Sequence, residues 1–501
     1  MSAPQLDIGQ LSDEEVRARV KAAFQVDPCH WQVQAIRTLS QRADKISEDQ
    51  CVISATGSGK TIAFLAPLLF VPQGTLVIIS PLNLLSEQIA TQLQNMRIPA
   101  IAVTAENATR NVFQAIRELK YRVVVTNIEI AGRPQGEFEK LWRDRKWSSK
   151  LICVVWDEAH CVSKWADFRP EYKDAGRIRR VVPDHIPFFL TSATLPKAVL
   201  LDVYRNLGLQ ASNVNVIHRS NDRPNIHLVV RRMQHALGSF RDLDFIIPTD
   251  GRPPPTFVIF FNDIRQSVKA VKYLCSRLPE ADKHRIKWFN SHMSPEFRRA
   301  EMENLASGET WGLICTDSFG LGVDTVRYIR LIIQYRVKGI NMCTLYQRIG
   351  RAIRSGEGSA TALILVEPEF FDEEREEKQA RKRKKEESAD SAVKGGDGAE
   401  RGNKRRKTDD ASVPTTVEVV MRGGPDSVVT ERDSLLASRR VLYDTLAAPA
   451  PKKKGRAKAK SAVAIEPALD DMINAQSRGF NCYRIPGQLY FGNDRIGTCG
   501  V

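Results

Sequence analysis

A chain of 501 residues with 42% hydrophobic content can bury more than one core. At roughly 150 residues per domain it divides into two or three units, which excludes a single small module. Lys and Arg outnumber Asp and Glu by 74 to 59, and residues 1–366 alone hold 48 against 36, so the excess sits on the part expected to fold, as a polyanion-binding surface requires.

Nine cysteines, several within apolar runs such as LICVVW and GLICTD, read as buried reduced thiols rather than a disulfide framework. No signal peptide and no run of membrane-spanning length is visible, so the expectation is an intracellular soluble protein without a membrane partner.

In chain order, short β-branched runs alternate with helical patterns: CVISA, TLVIIS, IAVTA, RVVVT, LICVVW and FFLTS up to residue 192. A second series, TFVIFF, IKWFN, GLICT, RLIIQY and TALILV, ends at residue 366. Two series of buried strands alternating with helices predict two parallel α/β domains, with the hinge in the polar HRSNDRPN segment, 218–225. From about 371 to 460 the composition turns to charge blocks and small residues. It predicts a largely disordered stretch with a charged helix at its start. Its clusters RKRKK, KRRK and KKKGRAKAK read as nuclear-import signals.

CVISATGSGKT is a strand, a glycine-rich turn and a helix start, the setting of a phosphate-binding loop. Thr56, Gly57, Ser58 and Gly59 would offer backbone N–H groups to phosphates, Lys60 would neutralise the β and γ phosphates, and Thr61 would ligate Mg2+. Ser54 stands where the strict pattern has Gly. LICVVW then delivers Asp157 and Glu158 to the carboxyl edge of the first sheet, Asp157 to hold the hydrated Mg2+ and Glu158 to orient or deprotonate the attacking water. In LYQRIGRAIRSG, helical 342–353 would put Gln347, Arg351 and Arg354 on one face with Arg348 pointing elsewhere. Arg351 and Arg354 could then act as arginine fingers.

ATGSGKT, SPLNLLSEQ, TNIE, DEAHCVSKW, TSAT, SNDRPNI, FGLGVD and QRIGRAIR stand in the order of superfamily 2 helicases, and in detail the chain resembles the RecQ family. The resemblance covers roughly 20–366 plus a short C-terminal piece. It implies an α/β fold of two tandem RecA-like parallel-sheet domains with a disordered charged C-terminal insertion. The expected units are 15–218 and 227–370 around a linker at 219–226, then a charged stretch 371–478 and a zinc-domain remnant 479–501.

The implied activity is ATP-dependent 3′ to 5′ DNA strand separation in repair, recombination or replication. ATP and Mg2+ would be required, a single-stranded tail at a duplex junction would be the partner, and the nucleus the compartment. Gln32 would read the adenine. Ser80, Ser192 and Thr194 would link the ATP site to the nucleic-acid groove. Asp317, Gly320, Gly322 and Asp324 would be the second domain's share of the cleft. Asp222, Arg223, Pro224 and Asn225 match the family's interdomain segment.

Trp165, Phe168 and Arg169 match the aromatic-rich loop that follows the Asp-Glu-Ala-His box in this family. Bases stack on aromatic faces and phosphates pair with arginine, so the loop would report DNA occupancy to Asp157 and Glu158. Where the family has Gly-His this chain has only Ala166, Ile353 stands in place of a glycine, and the segment before Gln88 is one residue short. Cys482 and Cys499 would be the first two zinc ligands. A structural site needs four, so no stably bound zinc and weak order over 480–501 are expected. The rival readings are a DEAD-box-like RNA helicase and a DNA-binding ATPase or adaptor that does not unwind.

Overall fold

The computed structural model describes residues 8–41, 48–81, 83–166, 169–249, 252–319, 328–353, 358–393, 430–445 and 465–495. In the first domain β1 (Asp49–Ile53), β2 (Thr75–Ile79), β3 (Ala100–Val103), β4 (Val123–Thr126), β5 (Leu151–Asp157), β6 (Phe188–Ser192) and β7 (Val214–His218) form one sheet, ordered β3-β4-β2-β5-β6-β1-β7. In the second, β8 (Ile226–Arg232), β9 (Phe257–Phe260), β10 (Ile286–Phe289), β11 (Gly312–Cys315), β12 (Leu331–Tyr335) and β13 (Ala360–Val366) are ordered β10-β11-β9-β12-β13-β8. Every pairing in both sheets is parallel.

Central strands such as β2 and β9 are buried along their whole length, because helices cover both faces of a parallel sheet. That burial is why their sequences are unbroken apolar runs. β7 and β8, absent from the predicted series, are edge strands with partly exposed side chains and mixed polarity. The hinge expected at 218–225 lies between them. All parallel strands carry their C-terminal ends on one edge, so β1, β5 and β6 bring the phosphate loop, Asp157 and Ser192 together.

The charged helix expected at the start of the 371–478 stretch is Asp372–Val393. The reading of 371–478 as largely disordered is corrected at 430–445 and 465–478, where Glu431–Thr445 and Pro467–Ile473 are helices, and Arg484–Phe491 follows as another. Tyr443, Leu469, Met472, Phe480, Leu489 and Phe491 are buried in one hydrophobic cluster with β8, β9 and the helix Met342–Ile349 of the second domain. Weak order over 480–501 is likewise corrected for 480–495. Charge averaged over a long window hid the apolar residues, whose burial partners lie more than a hundred residues upstream. Buried Asp471 joins these helices, accepting from Tyr443 Oη at 2.6 Å and Arg478 Nη1 at 2.7 Å, so its charge is compensated. RKRKK lies exposed within Asp372–Val393, while KRRK and KKKGRAKAK lie outside the described residues. No helix among the described residues is long and apolar enough to cross a membrane.

Candidate ATP site and interdomain cleft

We label the helices used below α1 (His30–Ser40), α2 (Lys60–Leu65), α3 (Met342–Ile349), α4 (Glu431–Thr445) and α5 (Arg484–Phe491). Between β1 and α2 the phosphate loop turns at Gly57 and Gly59, with φ of +79° and +76°, the left-handed region that glycine enters at no steric cost. A Cβ at Gly59 would lie 2.6 Å from Gln32 Nε2, so the residue is also required by the close approach of α1. Ser54, in the place of the pattern's first glycine, has its Oγ 2.8 Å from Ser58 Oγ and closes the loop from within. Lys60 Nζ donates to the carbonyls of Ser54 at 2.9 Å and Ala55 at 2.8 Å.

Gln32, expected at the adenine, is bonded at both ends of its amide. Oε1 accepts from the Cys29 N–H at 2.8 Å, and Nε2 donates to Gly59 O at 2.9 Å. In this conformation it pins α1 to the phosphate loop. Thr56, expected among the phosphate ligands, donates its hydroxyl across the cleft to Gly350 O at 2.9 Å.

β5 ends on Asp157, and Glu158 follows with φ of +49°, a strained conformation for a residue with a side chain that persists where the surroundings fix it. Burial and the neighbouring Glu158 raise the Asp157 carboxyl above the ordinary carboxylate range, against the pull of Lys60. Burial also pushes Glu158 up, but His160, Lys60 and Arg351 together outweigh it and hold Glu158 low and ionised. The two adjacent carboxylates are thus driven apart in proton affinity. Their oxygen donors, with the Thr61 hydroxyl at the start of α2, are the hard ligands that suit Mg2+. Thr61 and Asp157 would hold the ion, which when bound supplies positive charge to the phosphates.

His160 has an unassigned role in the sequence, yet it is the centre of the cleft. It is buried, with Nδ1 3.1 Å from Glu158 Oε2 and 2.9 Å from Ser192 Oγ. Gln347 of the second domain donates through Nε2 to His160 Nε2 at 2.7 Å and to Thr194 Oγ1 at 2.9 Å. Because His160 Nε2 accepts, the imidazole proton belongs on Nδ1, facing Glu158. Burial lowers the imidazole's basicity despite Glu158, which fits that neutral tautomer. Of the two residues expected to couple the sites, Ser192 is joined to a second-domain glutamine through His160 and Thr194 is joined to it directly. Ser80 is fully buried, and its Oγ has no hydrogen-bond partner among the described residues.

α3 stops at Ile349, so the helix expected over 342–353 is four residues shorter. Arg351 nevertheless enters the cleft. It is 5% exposed, its charge acts on Glu158, and its Nε has no hydrogen-bond partner among the described residues. Arg348 points into its own domain as expected, bonding Asp317 Oδ1 at 2.9 Å, Asn262 Oδ1 at 2.7 Å and Gln334 Oε1 at 2.7 Å. Asp317 is thereby committed to Arg348. Ile353, in the family's glycine position, has φ of +30°, a value that penalises a β-branched side chain. Arg354, Gly320, Gly322 and Asp324 lie outside the described residues.

In the aromatic loop, Trp165 packs partly buried against the first domain's core and meets Tyr172 edge-on at 5.9 Å. The Arg169 guanidinium lies over its ring at 4.5 Å and donates to Pro81 O at 3.1 Å and Glu129 Oε1 at 3.2 Å. One face of the tryptophan ring is thus occupied by arginine. Phe168 lies outside the described residues, as does Cys499, while Cys482 is partly buried beside His227.

Residues 29–203 match the DEAD/DEAH box helicase family, and 239–356 match the helicase conserved C-terminal domain. The chain is 29% identical over 327 residues to ATP-dependent DNA helicase Q-like 4B of Arabidopsis thaliana, covering 63% of this chain and 27% of that one. It is 27% identical over 326 residues to the probable ATP-dependent DNA helicase RecS of Bacillus subtilis, covering 64% and 62%. It is also 27% identical over 317 residues to the putative ATP-dependent RNA helicase R290 of Acanthamoeba polyphaga mimivirus, covering 62% and 54%. The chain thus spans less than two thirds of each relative. Among solved structures, S. cerevisiae Dbp5 bound to RNA and ADP BeF3 superposes with a TM-score of 0.54 at 17% identity, over 73% of this chain and 90% of that one, a likeness of fold.

Proposed function

We propose that the chain is a RecQ-like helicase that couples ATP hydrolysis to 3′ to 5′ separation of DNA strands, a reading supported by its matches to the DEAD/DEAH box and helicase C-terminal families and by the DNA helicases among its relatives. The observation that carries this reading is the cleft, where Lys60, Asp157 and Glu158 of one domain meet Arg351 and Gln347 of the other. Glu158, kept ionised, orients the attacking water and accepts its proton. Arg351 stabilises charge developing on the transferred phosphoryl group. In this reading the bonds of Gln347 to His160 and Thr194 form as the domains close on ATP and break as they part, so the second domain senses the Glu158 side of the cleft once per cycle.

DNA as substrate, action at a tailed duplex, a role in repair or recombination and a nuclear address are parts of the same proposal. The RecQ-like motif order and the DNA helicases among the relatives support the first. The basic clusters support the last. Zinc is proposed not to be stably held, since Cys482 and Cys499 supply two thiolates where a closed site takes four.

The test is strand displacement on duplexes with 3′ or 5′ single-stranded tails, with ATP and Mg2+, beside Lys60→Ala. Unwinding of only the 3′-tailed duplex, lost in the variant, is expected. Equal unwinding of both tails would refute the polarity, and none with ATP still hydrolysed would leave an ATPase that does not unwind. The relative named as an RNA helicase favours one second reading, RNA as the activating strand. Greater stimulation of ATP turnover by RNA than by DNA would select it.

A further inference from the structure

The linker is wired to both sides of the arginine finger. Arg223 donates through Nη1 to Thr56 O of the phosphate loop at 3.3 Å, and through Nη2 to Ala352 O at 3.2 Å and to Ile353 O. On the other side of Arg351, Thr56 Oγ1 holds Gly350 O at 2.9 Å, and a Cβ at Gly350 would lie 2.3 Å from that hydroxyl. The backbone of 350–353 is thus gripped at both ends by groups that also belong to, or touch, the phosphate loop. A third layer lies behind. Arg484 of α5 donates to Asp222 Oδ1, to Arg223 O at 3.2 Å and to Ile226 O, and so fixes the linker on which Arg223 stands.

We propose that Arg223 is a positioning residue for ATP hydrolysis, holding the loop that carries Arg351 against the phosphate loop, and that Arg484 from the C-terminal segment seats Arg223. The inference rests on the reading of Arg351 as the arginine finger. The physical need is plain at Ile353. A β-branched residue at positive φ does not keep that conformation by local preference, and the planar guanidinium holds it from two nitrogens in a fixed fork, Nη1 on the phosphate loop and Nη2 on the 352–353 carbonyls, a span that the single nitrogen of an ammonium does not offer. A finger displaced by about 1 Å costs on the order of a hundredfold in rate, so a group that never touches ATP can control turnover.

The experiment measures kcat and KM for ATP in the full-length chain for Arg223→Gln, Arg351→Ala, their double variant and Arg484→Gln, with thermal melting to confirm folding. Arg223→Gln is expected to lower kcat about tenfold to a hundredfold with KM changed less than about threefold. The double variant should be no slower than Arg351→Ala alone, because Arg223 acts through Arg351. Arg484→Gln should lower kcat in the same direction by less. A double variant showing the product of the two single losses, or a raised KM with kcat kept, would overturn the inference, since a purely structural role would multiply. If Arg223→Gln does not fold, Arg223→Lys, which keeps the charge and loses the fork, replaces it in the same cycle. Wild-type protein hydrolysing ATP no faster than Lys60→Ala would overturn the proposed function itself, and this inference with it.

Discussion

The second domain meets the rest of the chain in two unlike ways. Across the catalytic cleft the contacts are polar: Thr56 to Gly350, Gln347 to His160 and Thr194, and Arg223 to the 352–353 carbonyls. Against the C-terminal helices an apolar core is added to polar contacts such as Met342 N–H to Glu466 Oε2 at 2.6 Å, with Phe491 4.8 Å from Tyr346 and Gly487 so close to that ring that a Cβ would lie 1.9 Å from its hydroxyl. A hydrogen bond that is exchanged for one to water on separation is worth about 1 kcal/mol net, whereas separating a packed core exposes apolar area at about 25 cal/mol per Å2. Opening the cleft would thus cost less than stripping the C-terminal helices from the second domain. The C-terminal helices therefore belong to the second domain's core, and Asn493 to Asn221 at 2.8 Å and Asp444 to Lys197 at 3.6 Å are contacts they make beyond it.

The contrast can be broken most severely from the cleft. Lys60→Ala or Glu158→Gln is expected to abolish phosphate release while leaving the melting temperature unchanged, and turnover surviving in either would refute the assignment of the site. Arg351→Ala should cut kcat by on the order of 10³ or more, the scale of an arginine finger, with KM for ATP little changed. Titration with a fluorescent ATP analogue checks that binding is retained.

The apolar interface answers to a different probe. Phe491→Ala should destabilise the protein by about 3–5 kcal/mol in denaturant unfolding through lost burial and the cavity left against Tyr346. Loss of less than about 1 kcal/mol would mean that the C-terminal helices are loosely held. The smallest effect is expected at the rim. Lys197→Ala removes an ion pair whose lysine is 57% exposed, and it should leave both turnover and melting temperature where they were. A clear change in turnover would show that α4 bears on the first domain.

Trp165 sharpens the cleft side of the comparison. One face of its ring is covered by Arg169, so a base can stack on that face only after Arg169 leaves Glu129 and Pro81. The sequence places the aromatic and the arginine in one loop, but their mutual occupation is a fact of packing. Similarly, sequence puts Gln347 and Arg351 one turn apart, while the end of α3 at Ile349 and the turn at Gly350 decide that Arg351 still faces Glu158.

By itself the sequence determined the elements whose cause is local. Eleven of the thirteen strands coincide with short apolar runs visible in the sequence, the phosphate loop is a contiguous glycine pattern, and Asp157 ends, and Glu158 follows, a strand that the pattern reveals. Only the tertiary structure decided what depends on partners far along the chain. The edge strands β7 and β8 mix polar and basic residues with apolar ones, so their place is set by pairing with β1 and β13. His160 draws its role from Ser192 and Gln347, and Thr56 from Gly350. The C-terminal helices, diluted among charged residues in sequence, are ordered by an apolar surface on α3 that exists only once the second domain has folded. Local patterns encode a backbone preference residue by residue, whereas a buried polar network or a docked helix is fixed by the sum of contacts at its destination.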